Sequence, residues 1–473
     1  MRYARIAVIY LFLFTFLVSP AVGAFSLEDE KKIGRETYNE LEKNNALLKT
    51  KKVVDYLNAV GQKILAQADN KQPFDYQFNI IKSASINAFA TPGGYVYIHR
   101  GLINLAENEA QLASVIAHEL GHVNLRHIAD AIEKSKKINL ATLAGILAGA
   151  LLGGSPELAA GVMSMSVAGG AHMSLKYSRE HEEEADRMGM YYLVRAGYDP
   201  SAMVDFLKVM KRQELYSGLV PSYFLTHPGT EDRISYLDSL IKTVYRTPGK
   251  TELIGNFKRI QTILLIISSR DQEANRRHFE ENLKKNPESV DDLYGLAVTE
   301  AKLGRFDRAL SLFEKARALA PQDPDILGDQ GITYFLAGKT KEALKPLSEA
   351  ISRGSEDPEA YVFLAKTYDA LGNTAKALEQ LKLLEKKKLG DEEDLYYNMA
   401  SLYGKLGDEI SSHYYFGLYF KKKNRADSAL YHFRAAREKI KPGDERIRDI
   451  EREIQSLGKD KRSNPPSPGR TVP

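Results

Sequence analysis

Apolar and polar positions follow two different periods along this chain, and the changes of period mark its first elements. From residue 26 to about 70 the pattern is helical, opened by Ser26 as a helix-capping residue with Asp29 three positions on. Tyr76, Phe78 and Ile80 then alternate with polar neighbours, the period of a strand. Pro92-Gly93-Gly94 forces a turn, and Tyr95 to Ile98 is rich in β-formers. A helix begins near Asn108, with Leu112, Val115, Ile116, Leu120 and Val123 as its apolar stripe.

Farther on, between Lys137 and Lys176, Glu157 carries the one formal charge. The run "INLATLAGILAGALLGG" would be roughly 25 Å long as a helix, slightly short of the roughly 30 Å hydrocarbon core of a bilayer. A second apolar piece, Leu158 to Ala171, follows Gly153-Gly154-Ser155-Pro156. Because that break interrupts the run and small residues fill both pieces, we expect two Gly/Ala-rich helices that cover a site or touch a membrane surface, rather than a span.

From Pro287 onward the chain repeats. Gly304, Gly338 and Gly372 lie 34 residues apart, as do Ala309, Ala343 and Ala377, Phe279 and Phe313, Pro287 and Pro321, and Tyr334 and Tyr368. Gly407 continues the series one residue out of register, and Ala429, Phe433 and Ala436 suggest a further unit. This period resembles the tetratricopeptide repeat (TPR), with glycine at the turn and alanine where helices pack closely. "NFKRIQTILLIISSRDQEANRRHF" reads as a degenerate first unit. A helical solenoid of four or five units presents a concave surface for a protein partner. "GKDKRSNPPSPGRTVP" lacks the apolar residues of a fold.

Composition narrows the reading. A chain of 473 residues is too long for one ordinary core. A net charge of +4 with no dominant Lys/Arg block argues against nucleic acid as a partner. Arg2 and Arg5, the apolar run Ile6 to Val18, and Val22-Gly23-Ala24 describe a signal peptide with cleavage after Ala24. The chain has no cysteine, so any metal must be held by His, Asp or Glu.

"SVIAHELGHVNLRH" supplies such residues. His118 and His122, four apart on a helix, leave the same face, and Glu119 stands beside the point on which they converge. This is the His-Glu-x-x-His pattern of zinc peptidases. A catalytic zinc needs a third protein ligand and an open position. "YSREHEEEADRMG" is the evident donor. Glu182 and Asp186, also four apart, could supply one ligand and one hydrogen-bonding support for a ligand histidine, with His181, Glu183 and Glu184 as rivals.

"NAFATPGG", "HELGHVNLRH" and "SREHEEEAD", in this order and spacing, resemble the gluzincin metallopeptidases that include HtpX and the CAAX prenyl protease. With a signal peptide and TPR repeats, the resemblance is nearest to the BepA-like periplasmic zinc metallopeptidases, and it covers nearly all of residues 26 to 440. It implies a mostly α chain: an α+β zincin-type domain with a small sheet, then an all-α TPR solenoid. The divisions would be 1–24 signal peptide, 25–250 peptidase, 251–440 solenoid, and 441–473 helical end and disordered tail.

The resemblance further implies one zinc ion held by His118, His122 and Glu182, Glu119 as general base, and Asp186 in support. It makes Tyr95, Val96, Tyr97 and Ile98 an edge strand on which a peptide substrate pairs; without it, simple core pairing is the default. His227, in "LTHPGTEDRI", would take the open zinc position and keep the enzyme latent, then assist catalysis after leaving the metal. Arg126 and His127 also fit the family motif, with a structural salt bridge as the alternative role. Zinc would lower the pKa of water towards about 7, and Glu119 would carry its proton to the leaving amine.

The expected function is that of a periplasmic endopeptidase acting on misfolded or misassembled envelope proteins, docked through its repeats to a partner. The resemblance points to the outer-membrane β-barrel assembly machinery as that partner. The alternative is a TPR chaperone or adaptor with a largely latent peptidase site.

Overall fold

The computed structural model describes residues 25–134, 140–152, 166–167, 171–172, 177–390 and 392–463. The expected signal peptide and residues 464–473 of the tail lie outside the described residues, as does most of the second apolar piece; the part of it that is described is not the expected helix, because Ser166–Val167 pairs antiparallel with Ala171–His172. The chain divides into two compact units, one up to Ser268 and one from Ser269 onward.

The first unit opens with α1 (Leu27–Lys43) and α2 (Lys51–Leu65). Ser26 Oγ accepts from the Asp29 amide and Asp29 accepts from the Ser26 amide, the reciprocal cap that the sequence suggests. The helical pattern expected over 26 to 70 is broken at Asn44-Asn45, where Asn45 takes a φ of 52°, a conformation that asparagine tolerates better than most residues.

Three strands follow, β1 (Gln77–Ile81), β2 (Ala88–Thr91) and β3 (Tyr95–His99). Their order in the sheet is β1-β3-β2, with β1 parallel and β2 antiparallel to β3. Val96 therefore has Phe78 on one side and Ala90 on the other. This corrects the expectation for Tyr95, Val96, Tyr97 and Ile98. They form the central strand, all buried, and their main-chain groups are engaged from both sides, so no edge is free for a substrate. In the described sheet the edges belong to β1 and β2.

The short α3 (Arg100–Leu105) leads to α4 (Glu109–Asn124), capped by Asn108 Oδ1 on the Gln111 amide at 3.0 Å. Every residue of α4 is buried. Then come α5 (His127–Lys134), α6 (Leu140–Leu152) and, after Ser178 as cap, α7 (Arg179–Arg195). The apolar α6 packs on α1 and sets Leu143, Leu147 and Leu151 in one core with Ile33 and Leu41. Among the described residues no helix is long and apolar enough to cross a membrane.

The unit closes with α8 (Ser201–Ser217), α9 (Ser222–Thr226), α10 (Thr230–Thr243) and α11 (Phe257–Ser268). Phe257, Ile260 and Leu264 of α11 join the core that also holds α2 and α4. The segment read as a degenerate first repeat is thus shared between the two units.

The described residues of the second unit form helices and turns alone, from α12 (Gln272–Lys285) to α22 (Arg446–Ser463). Gly304, Gly338, Gly372 and Gly407 sit between successive helices with φ of 75°, 76°, 82° and 77°, a conformation that glycine adopts without strain. Ala309, Ala343, Ala377 and Ala429 are fully buried, as the repeat pattern requires.

Candidate metal centre

Two helices carry the site, and two glycines let them approach. A Cβ on Gly121 of α4 would stand 2.8 Å from the Ala185 carbonyl oxygen of α7. One on Gly189 of α7 would stand 2.9 Å from the His118 amide nitrogen. At that separation, side chains from the facing stripes of α4 and α7 meet without a spacer layer.

His118, His122, Glu182 and His227 meet there, each with a ligand atom within 4.8 Å of the others and all four buried. His118 Nε2 lies 3.0 Å from His122 Nε2 and 3.2 Å from His227 Nδ1. Glu182 Oε1 lies 3.0 Å from His227 Nδ1 and 3.5 Å from His122 Nε2. His227 reaches the cluster from the end of α9 and is fully buried.

Of the rivals on α7, Glu182 enters the cluster and the others bond elsewhere. His181 pairs with Asp130 at 3.3 Å, Glu183 with Arg187 at 2.7 Å, and Glu184 with His127 at 3.0 Å. Asp186 lies behind His118, with Oδ1 2.8 Å from Nδ1. Arg126 makes the structural ion pair, 2.6 Å from Glu30.

The donor set fits a metal such as zinc. Asp186 accepts the proton of His118 Nδ1, which leaves His118 Nε2 as a bare lone pair. That lone pair faces a second imidazole nitrogen at 3.0 Å and a carboxylate, an arrangement that a cation satisfies. Nitrogen and oxygen donors of this kind, without thiolates, are those of catalytic rather than structural zinc sites.

Glu119 is completely buried, and neither of its oxygens accepts a hydrogen bond. His227 Nε2 stands 3.5 Å from Oε1. Burial pushes the Glu119 carboxyl up, partly opposed by His227 and His118. Asp186 and Glu182 are buried too, but Arg233 and then His118 at Asp186, and His227 and then Arg233 at Glu182, outweigh burial and hold both below the usual carboxylate range. Burial lowers His122 well below the ordinary histidine value, as suits a ligand that must be neutral.

Four residues of the centre are singled out by no motif of the sequence. Arg233 of α10 is buried and binds Asp186 with two nitrogens at 2.7 Å, while its Nη1 lies 2.7 Å from Glu182 Oε2. Tyr236 donates to Asp186. Tyr177 stacks on His122 with centroids 3.7 Å apart, and Tyr223 stacks on His227 at 4.3 Å. The available hint for Arg233 was its place in "THPGTEDRI", one helical turn past the capping glycine.

Residues 52–241 match peptidase family M48, and residues 274–324 and 334–402 match tetratricopeptide repeats. The first unit thus matches the M48 peptidases and carries a buried cluster that could hold a single metal ion, and it is followed by TPR repeats. The chain is homologous to the beta-barrel assembly-enhancing proteases. It is 29% identical to that of Yersinia pestis over 309 residues, 64% of this chain and 63% of the relative. It is 32% identical to the putative one of Vibrio cholerae over 315 residues, 65% and 63% respectively. The chain thus matches less than two thirds of the length of these relatives. A thermophilic TPR protein from Thermus thermophilus superposes with a TM-score of 0.28 at 24% identity, covering 42% of this chain and 96% of that one.

Proposed function

We propose that the chain is an exported zinc endopeptidase that hydrolyses peptide bonds in misfolded or misassembled envelope proteins. The observation that carries this is Glu119, a buried carboxylate without a hydrogen-bond partner, set between two converging histidines. In this reading His118, His122 and Glu182 hold the metal, Asp186 orients His118, and Glu119 is the general base. The metal, when bound, supplies Lewis acidity that acidifies a water and polarises a carbonyl. Glu119 would take that water's proton and deliver it to the departing amine.

In this reading His227, whose Nδ1 lies within 3.2 Å of His118 Nε2 and 3.0 Å of Glu182 Oε1, would block the position that water or substrate needs and keep the site closed. Opening requires His227 to leave the cluster, after which its imidazole can donate to the developing oxyanion. That placement also favours a second reading, a repeat-bearing adaptor with a latent site. Export to the periplasm rests on the N-terminal basic and apolar pattern. The repeats offer a docking surface, and the relatives' name suggests the β-barrel assembly machinery as what docks there.

The test is cleavage of casein by zinc-loaded wild type, Glu119→Gln and His227→Ala. His227→Ala should cut at least as fast as wild type. Glu119→Gln should keep its zinc and lose about 10²- to 10⁴-fold in rate. Full activity in Glu119→Gln would end the peptidase assignment. Complementation of a null strain by Glu119→Gln would select the adaptor.

A further inference from the structure

His122 has no carboxylate on its outer nitrogen, unlike His118. Its Nδ1 instead lies 2.9 Å from Nδ1 of His127, and His127 Nε2 lies 3.0 Å from Glu184 Oε2. The backbone arranges this on purpose-built geometry. Arg126, between α4 and α5, takes a φ of 57°, uncommon for a side chain of its size. Its guanidinium is pinned by Glu30 at 2.6 Å and by the Phe25 carbonyl at 2.9 Å. The resulting corner swings His127, five residues on, back against His122. The His181 ring stacks on His127 at 4.3 Å and 11°, and Tyr177 stacks on His122, so both imidazole planes are fixed.

We infer that His127 and Glu184 are positioning residues that set the tautomer of His122 through a two-step hydrogen-bond relay. The inference rests on the metallopeptidase reading above. A carboxylate can only accept, so Glu184 holds the proton of His127 on Nε2. A neutral His127 then presents a lone pair at Nδ1, which only an N–H of His122 can meet. His122 therefore keeps its proton on Nδ1 and turns a bare Nε2 to the cluster. His118 reaches the same state through one direct contact with buried Asp186. The two ligand histidines are thus oriented by two carboxylates, one buried and direct, the other at an exposed position and insulated by an imidazole. Outer partners of this kind raise ligand basicity and fix ring orientation.

Zinc affinity of the full chain, by competition with a chromophoric chelator, tests the relay, with the absorption of the cobalt-substituted protein as a second readout. His127→Leu fills the space without an acceptor and should weaken zinc by about 10- to 100-fold, with a shifted cobalt spectrum. His127→Asn places Oδ1 where Nδ1 stood and should restore most of the affinity and the parental spectrum. Glu184→Ala, at an exposed position that tolerates change, should weaken zinc by about tenfold. Parental affinity in both His127→Leu and Glu184→Ala overturns the relay, and so does His127→Asn binding as weakly as His127→Leu. Wild type that takes up no stoichiometric zinc overturns the metal reading itself.

Discussion

Arg233 is the cation on which two buried carboxylates depend, and its worth can be argued from what its removal leaves. Against the cost of burial, Asp186 is held in its charged form first by Arg233 and then by His118, and Glu182 first by His227 and then by Arg233. Arg233→Met would strand that charge, a loss of about 3–5 kcal/mol for a broken buried pair. Arg233→Lys should recover only part of it, since an ammonium cannot span Asp186 with two parallel bonds. Urea unfolding of the metal-free chain measures both, and a methionine variant as stable as the parent would mean that other groups hold the carboxylates. A second residue-scale test lies in the repeats. Burial, then the carboxylates of Asp357, Asp325 and Glu359, push Asp329 up to about 7, against the pull of a 2.6 Å hydrogen bond from the Tyr294 hydroxyl. The unfolded value is about 3.9. The folded state therefore binds this proton more tightly, and stability falls as pH rises from about 4 to about 7, with the penalty complete above that. Asp329→Asn keeps an acceptor for Tyr294 and removes the penalty. It should gain about 1–2 kcal/mol near pH 8, trimmed from the full linkage value by the partial exposure of Asp329, and nothing near pH 4. A gain of equal size at both pH values would assign the effect to packing instead.

Elements bring these residues together, and α4 against α7 is the decisive pairing. Gly121 and Gly189 are the points of contact, and in each case the obstacle to a Cβ is backbone, which cannot rotate away. Gly189→Ala should separate the helices and pull Glu182 from the two histidines, so zinc binding should be lost before helix content is. Circular dichroism beside zinc titration checks the order of those losses; unchanged zinc affinity would show that the helices can slide without opening the site. This dependence on packing also explains what the sequence could and could not reveal. His118 and His122, with Glu119 between them, are legible because a four-residue spacing is a local property of one helix; Glu182 and Asp186 share that spacing, but it is the family resemblance that sets Glu182 apart from His181, Glu183 and Glu184. Arg233 is not legible, since a basic residue in "GTEDRI" reads as a solvated helix start until a second helix turns two carboxylates onto it. The strand Tyr95 to Ile98 is legible as a strand, but its neighbours are not written in its alternation. β1 precedes β2 in the chain yet pairs with β3, and that non-local choice makes β3 central rather than an edge. The repeat unit, by contrast, is legible throughout, because each helix packs on its sequence neighbours.

At the scale of the whole molecule there are two units, and metal linkage should reach only one of them. The candidate ligands His118, His122 and Glu182, with His227 beside them, all lie in the first unit, whose largest apolar cluster gathers residues of α2, α4, α7, α8 and α11. The repeats hold separate clusters, among them the one around Tyr361, Leu381 and Met399 and the one around Phe433 and Ile450. A ligand that binds the folded form alone stabilises it by about 4 kcal/mol at a thousandfold excess over its dissociation constant. Calorimetry of the full chain should therefore resolve two transitions. A zinc chelator should lower the first unit's midpoint and leave the repeats' midpoint in place. Phe313→Ala empties a fully buried site of the repeats, worth about 3–5 kcal/mol, and should lower the other midpoint alone. Glu182→Ala should make the first transition insensitive to the chelator, which ties the shift to the site rather than to zinc adsorbed elsewhere. If chelator and Phe313→Ala both move one shared transition, the units melt as a single cooperative body.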